Sequence, residues 1–249
     1  ALAASEQRVS GTAPIERYRF KGELEGISFA AQEPPPGLSP AGHPRAGLPG
    51  VENLWGSIDA DEGHGSVTID STDTTLTLPG EFDDPRLAFD RLHGRGQWTV
   101  TPAPGHPHKA FAITVPELSV ENADTAGSVV ASYANPGHGR GTLDLSAKIE
   151  RAKVPSIPRY LPTSIGEHLR HYLGHGLQDG VARNATIEVH GGLDQFPYSR
   201  DPKAGIFRIV APFAGARFDP SPFPAKTLAN GAPDIWPALD GIDGVFSLA

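Results

Sequence analysis

Apolar and polar side chains alternate at every second position in many short stretches of this chain. In GTLDLSAKIE, residues 141–150, leucine, leucine, alanine and isoleucine alternate with aspartate, serine, lysine and glutamate. A period of two is typical of a β-strand that has one apolar and one polar side. The same period recurs elsewhere, and the candidates for the apolar side are Leu76, Leu78, Trp98, Val100, Phe111, Ile113, Leu143, Leu145, Ile149, Ile187, Val189, Phe207 and Ile209.

Glycine and proline are frequent, with 29 and 25 residues, and they divide the chain into short pieces. Many of the predicted strands follow one another after roughly 10 to 20 residues with turn signals between them, which favours a mainly β, antiparallel fold. Two Pro/Gly-rich stretches without periodicity, 32–50 and 219–234, are predicted loops.

One helix is predicted, over residues 163–177. Pro162 suits its first turn, Thr163 or Ser164 could cap it, and Gly180 follows its end. One short helix cannot cover the apolar sides of so many strands. The sheet therefore either folds onto itself as a sandwich or barrel, the commoner solution, or curls into a trough that an acyl chain could cover. The strand pattern leaves both solutions open.

Three histidines lie on the predicted helix. Ile165, Leu169, Tyr172 and Leu173 form the apolar stripe of this helix, and His168, His171 and His175 share the face beside it, so their imidazoles could come together. A catalytic zinc also needs an open position and carboxylates that orient its ligands, and no H-E-x-x-H motif is present. We interpret this face as solvent-exposed, predict no cofactor, and keep a metal site as a remote alternative.

Other features of the sequence limit the possible functions. The serine-hydrolase motif G-x-S-x-G and the phosphate-binding loop motifs are absent, so we predict that the protein is not an enzyme. The absence of cysteine excludes disulfides and thiolate metal sites. The net charge of −8, without a dense Lys/Arg run, argues against a nucleic-acid partner. The absence of methionine suggests a piece of a longer protein, whose membrane anchor, if any, lies outside this piece.

A series of landmarks resembles the YhdP family of the AsmA-like superfamily over roughly residues 15–249. No single motif is specific to the family, and the resemblance rests on the order and spacing of the set. The landmarks are PGVENLWGSI (49–58), LTLPGEFDDPRLAFDRLHGRGQW (76–98), LSVENAD (118–124), RYLP (159–162), GGLDQFPY (191–198), GIFRI (205–209) and WPALDGIDGVFS (236–247).

The resemblance implies an internal segment of a large Gram-negative envelope protein. Such proteins are similar to bridge-like lipid transporters, with an inner-membrane anchor and a long, curved antiparallel sheet whose apolar groove crosses the periplasm. The implied partners are phospholipid acyl chains, which would lie on the apolar side, and neighbouring groove segments of the same protein. Residues 1–249 would form one such segment.

Two alternatives to a lipid conduit remain from the sequence. An envelope scaffold or assembly module would have a closed, fully packed β core and a protein partner at its exposed strand edges. A metal-dependent hydrolase at the helix histidines is the remote alternative.

Overall fold

The computed structural model describes residues 18–34, 47–105, 109–223, 226–227, 233–234 and 236–249. Its helical part is a 3₁₀ helix, Val154–Tyr160, followed by the α-helix α1, Glu167–Gly176. The strands are β1 (Arg19–Phe29), β2 (Gly50–Asp61), β3 (His64–Thr77), β4 (Arg86–Thr101), β5 (Ala110–Glu121), β6 (Thr125–Asn135), β7 (Thr142–Lys153), β8 (Leu177–Gly192), β9 (Gly205–Phe218), β10 (Lys226–Thr227), β11 (Pro233–Asp234) and β12 (Leu239–Leu248).

Ten of these strands form one antiparallel sheet in the order β1-β2-β3-β4-β5-β6-β7-β8-β9-β12. Each strand up to β9 pairs with the next one in the chain, and β12 then joins β9. The edge strands β1 and β12 do not pair with each other, so the sheet is open. The prediction of a mainly β, antiparallel fold is confirmed. Among the described residues there is neither a closed barrel nor a second large sheet.

The helix forms where the sequence predicts it but begins at Glu167 rather than near Thr163. The Thr163 hydroxyl does not cap the helix and instead donates to the carbonyl oxygen of Gly80 at 2.7 Å. The carbonyl oxygens of Thr163 and Ile165 accept hydrogen bonds from the Arg170 guanidinium. These contacts hold the predicted first turn outside the helix, and Gly166 becomes the N-cap.

The two predicted loops are described only in part. Residues 35–46 of the first and 224–225 and 228–232 of the second lie outside the described ranges. At the base of the first, Gln32 and Leu48 exchange backbone hydrogen bonds of 3.0 and 2.9 Å, so these two residues lie side by side. The second contains the two-stranded ribbon of β10 and β11.

Connections between antiparallel strands alternate between the two ends of the sheet. The β3–β4 loop (78–85), the β5–β6 turn (122–124) and the β7–β8 connection (154–176) lie at one end. We call the last of these the strap and this end the strap end. The opposite end, the far end, carries the turns after β2, β4 and β6 and the loop 193–204.

Candidate functional site

The strand register brings the apolar positions of neighbouring strands onto one face of the sheet. Residues directly opposite each other in an antiparallel pair project to the same side. Phe207 pairs with Val189, which pairs with Leu145. Leu145 pairs with Ala131, which pairs with Val115. One uninterrupted apolar row therefore crosses five strands, β9 to β5.

Two further rows run parallel to the first. Toward the far end, Leu143, Tyr133, Ile113 and Trp98 are successive partners on β7, β6, β5 and β4. Toward the strap end, the row consists of Ile209, Ile187, Ala147, Val129 and Leu118 on β9 to β5. We call the side of the sheet that carries these rows the apolar face.

The candidates chosen from the sequence lie on or beside this face, but they do not form one uniform group. Leu76 and Leu78 pack beside a buried cluster at the strap end. Val189 is buried within the face, at 7% exposure. The remaining candidates are half-buried positions of the sheet: Trp98, Val100, Phe111, Ile113, Leu143, Leu145, Ile149, Ile187, Phe207 and Ile209.

The buried cluster was missed by the sequence reasoning. It consists of Leu87, Phe89 and Leu92, exposed by between 2% and 7%. Its members do not follow a strict period of two, because two consecutive exposed residues, Asp90 and Arg91, separate Phe89 from Leu92. Strand β3 carries a matching pair of exposed residues, 72 and 73, opposite this site. Each strand shows its own pair of consecutive exposed residues. Only the pairing shows that the two irregularities lie opposite each other, so that the register of β3 and β4 is the same on both sides of them.

The opposite face of the sheet is polar and carries ion pairs between adjacent strands. Glu188 and Arg208 are direct partners, with a 3.4 Å contact between their side chains. Asp144 lies 3.0 Å from the His190 imidazole on the next strand. Further pairs between adjacent strands are Arg95–Glu117, His93–Asp70 and Arg19–Asp59. The pair Arg86–Glu52 joins β4 to β2 across β3. The sheet thus separates an aqueous side from an apolar side.

No second protein layer of strands lies over the apolar face within the described ranges. The extensive contacts of β5 and β6 are with their neighbours in the sheet. At the far end, the loop after β8 places Phe196 against Phe207, with ring centroids 5.0 Å apart, and buries Tyr198 beside Gly205. Most of the apolar face on β4 to β7 is left without this cover.

The strap supplies cover at the other end of these strands. Tyr160, from the 3₁₀ helix, and Phe82, from the β3–β4 loop, pack against the buried cluster. Asn122 of the β5–β6 turn donates to the Tyr160 hydroxyl at 3.0 Å and to the carbonyl oxygen of Ala88 at 2.8 Å. These contacts join the strap to β4.

Helix α1 is fixed to the β3–β4 loop by a charged residue, and its apolar stripe is buried only in part. Arg170 is buried at 8% side-chain exposure and donates two hydrogen bonds to Asp83, at 2.9 and 2.8 Å. Leu169, expected in the apolar stripe, is 51% exposed. The hydrogen bond from Arg170 holds the pKa of the Asp83 carboxyl below its usual range, and Asp83 raises the pKa of Arg170.

Two of the three helix histidines lie together, on an aromatic ring. The rings of His171 and His175 are 4.4 Å apart, and His171 stacks on Phe223 at 5.0 Å. His175 Nδ1 lies 2.9 Å from the carbonyl oxygen of His171. Among the residues that the structure describes, no three His, Cys, Asp or Glu side chains are grouped so that they could hold a metal ion. The geometry therefore gives the hydrolase alternative no support.

Comparison with known proteins shows the family to which this chain belongs. The family model described as YhdP protein matches residues 3–248. The chain belongs to the YhdP family. One YhdP relative is the Escherichia coli (strain K12) protein named intermembrane phospholipid transporter YhdP, which is 25% identical over 197 residues. That alignment covers 79% of this chain and 14% of the relative.

Two negative results complete the comparison. No solved structure matches this YhdP-family chain. In the described part of the chain, neither helix has the length and apolar character needed to cross a membrane.

Proposed function

We propose that this chain is one segment of a phospholipid transporter and that its apolar face holds the acyl chains. The observation that carries the proposal is the uncovered apolar face on β4 to β7, opposite a face crossed by ion pairs. Burying apolar surface is favourable by about 25 cal/mol per Å², so a face of this kind favours an apolar ligand. The name of the Escherichia coli relative indicates which ligand: a phospholipid.

The proposed function requires no catalysis. Lipid would move along the sheet, across successive strands, with its acyl chains on the apolar face and its head group toward water. In the proposed setting the protein lies in the periplasm, is anchored to the inner membrane by a part outside this chain, and conducts phospholipid between the two membranes. The relative's name and the resemblance of the sequence support this setting.

The edge strands support the further proposal that neighbouring segments of the same protein continue the groove. Phe20 and Phe29 of β1 are partners of apolar-face residues on β2 and are 53% and 54% exposed. Phe246 and Leu248 of β12, on the same face, are 50% and 40% exposed. The apolar face thus reaches both edges, where unpaired backbone groups are available for further strands.

The scaffold alternative is less well supported, because it requires a closed β core. The ten-stranded sheet is open, and the described residues bury few large apolar side chains completely.

A lipid-binding measurement with two matched variants tests the proposal. The protein at its natural length is purified, and its bound phospholipid is quantified by native mass spectrometry and solvent extraction. Ile113→Asp places a charge on the apolar face of this segment, and we expect it to lower the amount of bound phospholipid. Thr114→Asp, at the next position of β5 but on the exposed polar face, is the control and should retain it. Equal phospholipid in the two variants, or none in the unmodified protein, would contradict the proposal.

A further inference from the structure

The apolar face is divided into two regions that differ in cover. At the strap end, Leu87, Phe89 and Leu92 are exposed by at most 7%, under Tyr160 and Phe82. Toward the far end, a second group of large apolar side chains remains half-buried. We call this group the open patch, and it consists of Trp98, Val100, Phe111, Ile113, Leu143 and Leu145.

The strap spans the strands on which both regions lie. It leaves the sheet at the end of β7 and returns to it at β8. Between these points it reaches back to the β3–β4 loop, where the Thr163 backbone N–H donates to the Glu81 carbonyl oxygen at 2.8 Å. It therefore passes over the strap ends of β4, β5, β6 and β7, which lie between β3 and β8 in the sheet.

Charged contacts hold the strap to the β3–β4 loop and to the β5–β6 turn. The Arg170–Asp83 pair ties α1 to the β3–β4 loop. Arg159 lies 3.0 Å from Asp84 of the same loop and 3.7 Å from Asp124 of the β5–β6 turn. Lifting the strap would break the two charge-assisted hydrogen bonds between Arg170 and Asp83. The contacts therefore favour a strap that stays closed.

From this arrangement we propose that the strap excludes lipid from the strap-end region, so that acyl chains contact only the open patch. The inference rests on the proposed function and adds to it the part of the face that carries the ligand. A packed cluster such as Leu87, Phe89 and Leu92 has no space for an acyl chain unless Tyr160 and Phe82 move away. The open patch needs no such movement.

The unmodified protein tests this division directly. The protein at its natural length is loaded with a phospholipid that carries a diazirine in its acyl chain, irradiated, digested and mapped by mass spectrometry. We expect adducts on open-patch residues such as Ile113 and Leu145, and none above background on Leu87, Phe89 and Leu92. Equal labelling of the two regions would overturn the division while leaving lipid binding intact. No adduct anywhere on the apolar face would instead overturn the proposed function.

A strap variant with a matched control adds a second test. Asp83→Asn removes the carboxylate that holds Arg170, and we expect new adducts at Leu92. Glu188→Gln removes the carboxylate of an ion pair on the polar face, and its labelling pattern should equal that of the unmodified protein. If Asp83→Asn folds, as its circular dichroism would show, and gives no adduct at Leu92, the strap is not what excludes lipid. If Asp83→Asn does not fold, the adduct map of the unmodified protein alone decides whether lipid is excluded from the strap-end region.

Discussion

Arg170 of helix α1 and Asp83 of the β3–β4 loop form a two-hydrogen-bond ion pair between residues 87 positions apart. The guanidinium is buried, whereas the carboxylate side chain is 62% exposed. The pair therefore has one desolvated partner and one that water can reach. Arg170 also donates to the carbonyl oxygens of Thr163 and Ile165, so a single side chain organises the segment that precedes the helix.

Removing the carboxylate of this pair should destabilise the protein. For Asp83→Asn we expect a loss of about 2 kcal/mol in the free energy of unfolding, because the buried guanidinium loses its charged acceptor. Urea unfolding followed by circular dichroism measures this loss. Glu188→Gln, which breaks a more exposed pair on the polar face, should cost less. A cost for Glu188→Gln equal to that for Asp83→Asn would show that burial of Arg170 does not matter.

The Arg170–Asp83 pair should also make the stability of the folded protein depend on pH. The pKa of Asp83 is lower in the folded protein than in the unfolded chain, so its contribution is present above the unfolded pKa, about 4. It is lost as the pH falls through the lower, folded pKa. Thermal unfolding of the unmodified protein and of Asp83→Asn should thus differ by a constant amount above about pH 5 and converge below about pH 4. A difference that stays constant into acid would contradict this assignment.

The side chain of Asn122 should be important for stability because it joins four groups. It donates to Ala88 and Tyr160 and accepts from the backbone N–H groups of Asp124 and Thr125. For Asn122→Ala we expect a loss of about 3 kcal/mol, because several buried polar groups lose their partner. Asn135→Ala is the control variant. The Asn135 side chain makes similar hydrogen bonds around the solvent-exposed turn between β6 and β7.

Chemical denaturation of both asparagine variants measures the difference. The larger loss is expected for the residue beneath the strap. Comparable losses would mean that the turn itself, rather than its contact with the strap, determines the effect.

The ring of Trp98 covers Gly65 on the neighbouring strand. A Cβ atom at position 65 would lie 2.2 Å from a ring carbon of Trp98, so Gly65→Ala must displace the indole. We expect a shift in Trp98 fluorescence, measured with Trp55 and Trp236 replaced by Phe, and a destabilisation of about 1–3 kcal/mol. Gly192→Ala is a suitable control, because nothing lies within 4 Å of the Cβ it would add. An unchanged fluorescence spectrum in Gly65→Ala would contradict this packing.

The sequence predicted the strands well because the period of two is a local signal. In β7, the residues chosen as apolar are half-buried or buried, and the alternating polar residues are exposed. The order of the strands then requires little further information, since each strand up to β9 pairs with the next. Their exact register does require more, because bulges interrupt it in most pairs. Placing the apolar candidates on one side of the sheet was therefore possible from the sequence.

The strap was not predictable, because its contacts are distant in the sequence. The helical pattern placed Leu169 in the buried stripe, yet Arg170 is buried instead. The reason is Asp83, whose pairing with Arg170 leaves no trace in the residues around either partner. For the same reason, nothing local distinguished Leu76 and Leu78, which lie beside the cluster that the strap covers, from the uncovered candidates.

The order of the strands in the sheet affects how such a protein can form and change. Since nearly all pairings join consecutive strands, each hairpin can form as soon as its own residues are available, without waiting for distant parts of the chain. An added or deleted hairpin would lengthen or shorten the sheet by two strands while preserving the register of every other pair. The length of such a sheet is therefore determined by the number of its hairpins.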